Sequence, residues 1–303
     1  MKPNLKVNIA GIEMKNPLMT ASGTYGFGDE YTDFYSPEIL GGIITKTIRL
    51  NEHPGNRTPR IAESAAGILN SVGIPSKGLE HFVEHYAPML RKLNVPVIQS
   101  ILGSNYDEYL IITEKLSELG FLAGIELNLS CPNLEEGGLE LGLDPEAIYR
   151  FVKAVKNITD IPIIPKLTPN TADVVELAQS AEAGGADCIA MINTVRAMAI
   201  NIKTRKPVLA NITGGLSGPA IKPIALAQIY RVYEAINIPI IGMGGASNYE
   251  DVIEFMLAGS SAVALGVINF IDPEAPVKIL KDLEEYLTKN KIDDINTLVG
   301  GAH

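Results

Sequence analysis

Several residue types that mark particular protein classes are scarce in this sequence. Its 303 residues include no tryptophan, four histidines and two cysteines, Cys131 and Cys188. Two cysteines cannot form the disulfide framework of a small secreted protein, and they cannot supply the four thiolates of an ordinary iron–sulfur cluster. At least one of them is therefore available for another task.

The sequence also lacks long apolar runs and an excess of basic residues. No stretch approaches the roughly 18 apolar residues of a membrane span, and Met1 to Gly11 does not resemble a signal peptide. The net charge of −10 disfavours binding to nucleic acids and to anionic membrane surfaces. We therefore expect a cytoplasmic protein that acts on a small molecule.

Short runs rich in valine and isoleucine recur along the chain, between longer amphipathic segments. The runs are continuous rather than alternating, which is typical of parallel strands covered on both faces. Eight are found: Pro17 to Ser22, Gly42 to Thr47, Pro96 to Leu102, Gly124 to Leu129, Pro162 to Leu167, Cys188 to Asn193, Pro239 to Gly244 and Ala262 to Val267. Eight strands alternating with helices predict an α/β fold of the (β/α)8 TIM barrel type, with residues 1–303 as one domain. An open, doubly wound sheet is the alternative.

Three connections are too long to be simple turns between a strand and a helix. They run from Ile48 to Lys77, from Ser130 to Leu143 and from Thr194 to Gly218. All three follow predicted strands. In a barrel we therefore expect them to lie over the C-terminal face, where barrel enzymes place their active sites.

Polar residues stand where the apolar runs end, at Ser22, Lys46, Ser100, Asn128, Lys166 and Asn193. Taken singly, each could be a strand end that meets water. Lys166, however, lies in an otherwise buried run and needs an anion, either a loop carboxylate or a bound group such as a reduced flavin. Glycines at 242, 244, 245 and 266 stand at the ends of the last two runs and predict a phosphate site.

Two further motifs carry chemically active side chains. Cys131 begins the second long connection; a lone cysteine is usually a small buried hydrophobe, but at this rim a thiolate could act as a base. The segment His81 to His85 has the H-x-x-E-H spacing of some zinc peptidases. No third ligand is evident, so we expect no metal and a solvated helix face on the opposite side of the barrel.

Six segments, in order along the chain, resemble class 1 dihydroorotate dehydrogenases: Asn16 to Gly28, Thr45 to Thr47, Asn128 to Asn133, Pro165 to Asn170, Met191 to Thr194 and Thr213 to Pro219. The resemblance covers nearly the whole chain. A cysteine rather than a serine in the third segment is typical of class 1. The first and last segments resemble class 1B, whose members pass electrons to NAD through a partner subunit.

The resemblance implies a site for FMN and a site for dihydroorotate. FMN would contact Ser22, Lys46, Thr47, Ser100, Asn128, Lys166, Ile192, Gly218, Gly244, Gly245, Gly266 and Val267. The substrate would contact Lys46, Asn70, Ser71, Val72, Gly73, Ile74, Asn128, Asn133, Asn193 and Thr194. Ser100 and Val267 depart from the family pattern, which has asparagine and threonine there, and each loses a polar contact to the cofactor.

The resemblance further implies the oxidation of (S)-dihydroorotate to orotate in de novo UMP synthesis. Cys131 would remove the proton from C5, hydride would pass from C6 to N5 of FMN, and Lys166 would stabilise the charge that develops on the flavin. No G-x-G-x-x-G fingerprint for a dinucleotide follows any predicted strand. The family therefore suggests a partner subunit with FAD and a [2Fe–2S] cluster, docked on a homodimer of this chain to give a heterotetramer.

Several other functions remain open on the sequence. One is a fumarate-linked class 1A enzyme, and another is a non-redox barrel isomerase or lyase that binds a substrate phosphate and uses Lys166 for a Schiff base. A flavin-binding protein without catalysis is a third. A flavin barrel that reduces tRNA is a fourth, which the acidic charge disfavours.

Overall fold

The computed structural model describes residues 2–129 and 142–303, together with the main chain of residues 135–136 and 139–141. Eight parallel strands form one sheet: Leu18–Thr20, Ile43–Ile44, Val97–Ile101, Gly124–Asn128, Ile163–Lys166, Ile189–Met191, Ile240–Met243 and Ala262–Leu265. Numbered along the chain, these strands lie in the order 1, 8, 7, 6, 5, 4, 3, 2. A parallel bridge between Met19 and Gly42 joins strand 1 to strand 2 and closes the ring.

The closed ring confirms the predicted (β/α)8 barrel and shows that the open, doubly wound alternative is wrong. Each strand lies within one of the eight predicted runs, and every residue of the eight strands is buried. Side chains on one face of the sheet fill the ring, while those on the other face are covered by helices. This burial on both faces explains why the runs are continuously apolar rather than alternating.

Helices follow the strands and cover the ring. They span Leu79–His81, Ala87–Leu90, Tyr106–Ser117, Pro145–Lys156, Val174–Ala183, Lys222–Tyr233, Tyr249–Leu257, Ile268–Ile271 and Ala275–Lys289, with a π-helical turn at Phe82–Tyr86 between the first two. Short 3₁₀ turns span Asp29–Tyr31, Pro37–Ile39, Leu141–Leu143, Pro219–Ile221 and Ile295–Leu298. Four of the helices are capped at their N-termini by a side-chain oxygen that accepts a hydrogen bond from a main-chain N–H of the first turn. The capping residues are Asn105, Asp144, Asp173 and Asn248.

Two of the three long connections pair with each other at the carboxyl ends of the strands. Their four-stranded antiparallel sheet, which we call the rim sheet, has the order Val195–Ala197, Gly214–Ser217, Gly67–Asn70, Ile61–Ser64. Asn70 at the end of its strand lies opposite both Gly215 and Ile61. The rim sheet therefore ties the connection after strand 2 to the connection after strand 6.

Three two-stranded hairpins complete the secondary structure of the described residues: Val7–Ile9 with Ile12–Met14, Glu135–Glu136 with Leu139–Glu140, and Ile200–Asn201 with Lys206–Pro207. The first lies at the amino end of the ring, because Met14 packs against Gly42 just before strand 2. No helix in the described part of the chain combines the length and the apolar character that a membrane span requires.

Candidate active site

The carboxyl ends of strands 1 to 5 bring together five buried polar side chains, Ser22, Thr47, Ser100, Glu126 and Lys166, which we call the charged cluster. The Lys166 ammonium lies 3.4 Å from Ser22 Oγ and 3.7 Å from Glu126 Oε2. Ser100 Oγ donates to Glu126 Oε1 at 2.7 Å and lies 2.9 Å from Thr47 Oγ1. None of the five is more than 6% exposed, so the cluster crosses the rim as one continuous buried chain of polar contacts.

Glu126 is the member of this cluster that the sequence analysis missed. The signal was present, because a glutamate inside a continuous apolar run requires a partner for the same reason as Lys166 does. Strand register explains the pairing. Lys166 lies opposite Asn128, and Glu126 stands two residues before Asn128 on the same face of the sheet. The carboxylate that Lys166 needs thus comes from the neighbouring strand, rather than from a loop.

Lys46 is half-buried at the end of strand 2, where its main chain is held on both sides. Its N–H donates to Gly26 O at 2.7 Å, and its carbonyl accepts from Gln99 Nε2 at 2.9 Å. Lys46 and Thr47 also line a cavity of about 300 Å³ together with His81. The H-x-x-E-H segment therefore begins beside the carboxyl end of strand 2, and its predicted position on the opposite side of the barrel is wrong.

The histidines of that segment stack on each other rather than converging on a common point. The rings of His81 and His85 lie 4.1 Å apart and are nearly parallel. Over the described residues, no three histidine, cysteine or acidic side chains are grouped so that they could hold a metal ion. The cavity next to them is lined by a mixture of aromatic and charged side chains, including Phe27, Glu30 and Tyr86.

Four predicted cofactor residues form a second group, Gly218, Gly244, Gly245 and Gly266, which we call the glycine cradle. Gly244 and Gly245 have φ angles of 123° and 97°, which only glycine adopts readily. A Cβ added to Gly245 would lie 2.7 Å from the carbonyl oxygen of Gly218, and one added to Gly266 would meet nothing nearer than Ala21 at 3.9 Å. The absence of side chains thus lets three loops approach one another and leaves main chain open to a ligand.

Ile192 and Val267 border the glycine cradle. A Cβ on Gly244 would lie 3.1 Å from Ile192 Cγ1, and a Cβ on Gly218 would lie 3.7 Å from Val267 Cγ1. Both side chains are buried, at 3% and 8% exposure. The structure therefore brings all six of these predicted cofactor residues to one place, between the ends of strands 6, 7 and 8.

The predicted substrate segment, residues 70–74, leaves the rim sheet and is held by a neighbouring loop. Asn70 Nδ2 donates to Gly215 O at 3.4 Å. Asn56 Nδ2 donates to Ser71 O at 2.9 Å, and the Asn56 N–H donates to Val72 O at 3.0 Å. Ile74 is in the left-handed region with a φ of 49°. Asn56, which the sequence analysis did not single out, thus fixes the main chain of this segment.

Two more predicted substrate residues follow strand 6. The Asn193 N–H donates to Leu167 O at 2.9 Å, and Asn193 Oδ1 accepts from the Thr194 N–H at 2.8 Å. The Thr194 side chain fills the space where a Cβ on Gly215 would lie. Since Gly215 also accepts from Asn70, the substrate residues of strand 6 and those of the first long connection meet at one position of the rim sheet.

The two cysteines have different settings. Cys188 is fully buried at the start of strand 6, and desolvation raises the pKa of its thiol far above the ordinary value. Cys131, the predicted base, lies outside the described residues, as does Asn133. The burial of Cys188 removes it as a candidate for acid–base chemistry, because its thiol does not ionise near neutral pH.

Comparison with known proteins places this architecture in one family. Residues 4–287 match the model of the dihydroorotate dehydrogenase family. The chain belongs to this family. It is 46% identical over 299 residues to the Geobacter metallireducens protein named dihydroorotate dehydrogenase B (NAD(+)), catalytic subunit, covering 99% of this chain and 98% of that protein. Proteins of the same name from Desulforamulus reducens and Thermoanaerobacter pseudethanolicus are each 46% identical, over 303 and 297 residues.

The residues of this dihydroorotate dehydrogenase barrel fit a flavin mononucleotide. A phosphate suits the glycine cradle, where main chain without side chains stands before the helices that follow strands 7 and 8. The ring system suits the other side of the rim, where Lys166 supplies a buried cation and Ser22, Thr47 and Ser100 supply hydroxyl groups. The two groups of residues therefore match the two ends of such a molecule.

Proposed function

We propose that this chain is the catalytic subunit of an NAD-linked dihydroorotate dehydrogenase, which oxidises (S)-dihydroorotate to orotate in the synthesis of pyrimidines. The observation that carries the proposal is that a buried ammonium, Lys166, and a glycine cradle both stand at the carboxyl ends of strands of one barrel. The names of the full-length relatives support the same reaction. A Schiff-base lysine is less well supported, because the Lys166 ammonium lies 3.7 Å from the buried Glu126 carboxylate and forming an imine would disrupt this ion pair.

The reaction removes two hydrogens from adjacent carbons, as a proton from C5 and as a hydride from C6. We assign the proton to Cys131, whose thiolate accepts it as a general base. When bound, FMN supplies the two-electron acceptor for the hydride. Lys166 is assigned to the negative charge that reduction adds to the ring, because a fixed cation in a buried site acts without the reorganisation that water would need.

The substrate is assigned to the amide-rich part of the rim. Dihydroorotate alternates N–H donors and C=O acceptors along its ring edge, and each asparagine amide offers one group of each kind. Asn70, Asn128, Asn133 and Asn193 are assigned to this edge, and Lys46 to the carboxylate. Holding the substrate against both reacting groups lowers the barrier, and ideal positioning of this kind can contribute up to about 7–11 kcal/mol.

The purified chain should be yellow, and its visible absorbance should bleach when dihydroorotate is added without oxygen, while orotate forms in equal amount. A colourless protein that binds no added FMN would refute the proposal. Absorbance that is present but does not bleach would indicate a flavin-binding protein without this activity. The measurement therefore separates the three functions by one spectrum before and after substrate.

We also propose that electrons reach NAD through a partner subunit that carries FAD and a [2Fe–2S] cluster. The relatives are named catalytic subunits, which supports such a partner. The purified chain should then reduce an artificial dye with dihydroorotate and reduce NAD only slowly. Rapid NAD reduction without added protein would contradict the partner, and rapid fumarate reduction would assign the chain to class 1A.

A homodimer at the centre of the resulting heterotetramer is supported by exposed apolar side chains beside the rim sheet. Ile200, Ile202 and Ile212 are 60%, 86% and 57% exposed, and Met198 is 45% exposed. Such a patch is unusual on a monomer and typical of a contact surface. Ile202→Glu should convert a dimer into a monomer in sedimentation velocity, whereas Ile271→Glu, on the helix after strand 8, should not.

A further inference from the structure

The charged cluster contains a carboxylate that the assigned reaction does not use. Glu126 is 0% exposed, and only one of its two oxygens is hydrogen-bonded: Oε1 accepts from Ser100, whereas Oε2 has no hydrogen-bond partner among the described residues. The Lys166 ammonium lies 3.7 Å from Oε2, beyond hydrogen-bonding distance. A buried carboxylate with one oxygen hydrogen-bonded and the other facing a cation has a fixed orientation.

The surroundings of Glu126 make its position rigid. Ser100, which donates to it, is itself 0% exposed and is in contact with Thr47 at 2.9 Å. The main chains of strands 3, 4 and 5 are joined by parallel ladders on both sides of Glu126. Removing either partner of a buried pair leaves a costly unpaired charge, so the pair acts as one unit.

Lys166 is bonded loosely for a buried ammonium. It has three protons to donate, and its hydrogen bond to Ser22 is long, at 3.4 Å. The ammonium therefore keeps donors for a bound group while Glu126 restrains it from behind. A negative charge at this distance also offsets part of the positive charge that a bound group would experience.

We infer that Glu126 is a positioning residue that holds Lys166 toward the flavin and lowers the reduction potential of the bound cofactor by offsetting the lysine's charge. This inference rests on the proposed function, because it needs a flavin beside Lys166. It assigns to Glu126 a definite direction of effect. With the carboxylate in place, the protein accepts electrons from dihydroorotate less avidly and delivers them more readily.

The test is the midpoint potential of the bound flavin in wild type and in Glu126→Gln, which keeps the shape of the side chain and removes its charge. The variant should have a higher potential, by about 30 mV, which corresponds to a tenfold change in the equilibrium constant of a two-electron couple. Its affinity for oxidised FMN, followed by quenching of flavin fluorescence on addition of apoprotein, should change less than about threefold, because the oxidised ring is uncharged. A purely structural residue would lower thermal stability and leave the potential unchanged.

Two further variants keep the test decisive if Glu126→Gln does not fold. Glu126→Asp retains the charge but moves it away from Lys166, so the potential should stay within about 10 mV of wild type, while FMN affinity falls several-fold. Ser100→Ala removes the hydrogen bond that fixes the carboxylate and should give the same pattern more weakly. An unchanged affinity in both variants, or an unchanged or lowered potential in Glu126→Gln, would overturn the inference.

The wild-type protein separates this inference from the proposed function. If wild type binds no FMN, or binds it without being reduced by dihydroorotate, the proposed function fails. If wild type is reduced normally and Glu126→Gln has the same potential, only the role of Glu126 fails.

Discussion

The two sides of the barrel rim are built on opposite principles. At the ends of strands 1 to 5, the charged cluster uses side chains that contact one another and are almost wholly buried. At the ends of strands 6 to 8, the glycine cradle has no side chains, and its loops approach so closely that a Cβ on Gly245 would lie 2.7 Å from the Gly218 carbonyl oxygen. The properties of the charged cluster can be altered by substituting its charged side chains, whereas the glycine cradle has almost no space for any added side chain.

This difference assigns separate tasks to the two sides. A side chain can move a proton or stabilise a charge, so the proposed function assigns the chemistry to the charged cluster and to the residues beside it. Main chain without side chains can bind a ligand but supplies no acid or base, so the proposed function assigns the cradle to the phosphate of the cofactor. Changes on the charged side should therefore affect rate and potential as well as FMN affinity, whereas changes in the cradle should affect chiefly cofactor retention.

The largest effect is expected from Cys131→Ser. Cys131 follows strand 4 in the sequence, and its substitution should lower the rate of flavin reduction without releasing FMN. A hydroxyl is a far weaker base than a thiol near pH 8, and general-base contributions are about 10²- to 10⁴-fold. Flavin reduction by dihydroorotate in stopped flow should slow by that factor, while FMN content stays normal. An unchanged rate would remove Cys131 from the mechanism.

Cys188 provides the matched control for that substitution. Its thiol is fully buried and its pKa is raised by desolvation, so it should not react with iodoacetamide at pH 8. Peptide mapping after alkylation should find the label on Cys131, with parallel loss of flavin reduction. Cys188→Ala should keep the wild-type rate. Labelling of Cys188 instead would show that its thiol is accessible to the reagent rather than buried.

The next largest effect is expected from Gly245→Ala in the cradle. Backbone strain of this kind costs about 1–3 kcal/mol, and here the clash with Gly218 can be relieved only if the loop moves outward. FMN affinity should fall about 10- to 100-fold, converting each 1.4 kcal/mol into a factor of ten. Gly11→Ala is the control, since Gly11 has a similar φ of 85° with nothing within 4 Å of an added Cβ. It should keep normal FMN affinity.

Lys166→Ala should break the division of tasks between the two sides, because it removes a cation that serves both holding and chemistry. We expect flavin reduction and FMN affinity each to fall about tenfold, with the unpaired Glu126 lowering the free energy of unfolding by about 3–5 kcal/mol. Lys156→Ala is the control: Lys156 pairs with Asp187 at 2.9 Å and is remote from the rim. Full FMN occupancy with a normal rate in Lys166→Ala would show that this lysine is only structural.

The sequence predicted the barrel and its rim because those features are local. Each strand is a continuous apolar run, and the residue at its end is fixed by the length of that run, so Ser22, Lys46, Ser100, Asn128 and Lys166 could be placed without coordinates. Contacts between strands are not local. The pairing of Lys166 with Glu126 depends on register, and the rim sheet depends on two connections that are more than a hundred residues apart.

The predicted position of the His81 to His85 segment was wrong for a related reason. A helix that follows a parallel strand runs back along the barrel, so its first turn lies near the carboxyl ends, although its residues immediately precede the next strand. His81 stands in that first turn and lines a cavity with Lys46. Asn56 was missed because its partners, Ser71 and Val72, are main-chain carbonyls that no side-chain pattern reveals.

The smallest effect is expected from Thr47→Val, which removes the outermost hydroxyl of the charged cluster. Its Oγ1 lies 2.9 Å from Ser100 Oγ, and a buried hydrogen bond of this kind contributes about 0.5–1.5 kcal/mol. Because Ser100 also donates to Glu126, we expect FMN affinity to fall two- to fivefold, a range of about 0.4–1 kcal/mol.

Thr45→Val tests whether the loss of FMN affinity in Thr47→Val depends on the position of Thr47 at the rim rather than on its burial. Thr45 is fully buried on the same segment and donates to Gln99 Oε1 at 2.7 Å, and Gln99 Nε2 in turn donates to the main-chain oxygen of Ser100, rather than to its hydroxyl, at 2.7 Å. Both substitutions should lower the free energy of unfolding by about 1 kcal/mol, measured by urea titration of the apoprotein. Only Thr47→Val should weaken FMN binding. Equal losses of FMN affinity in the two variants would mean that the rim responds to general loosening of strand 2, and that the charged cluster does not act as a unit.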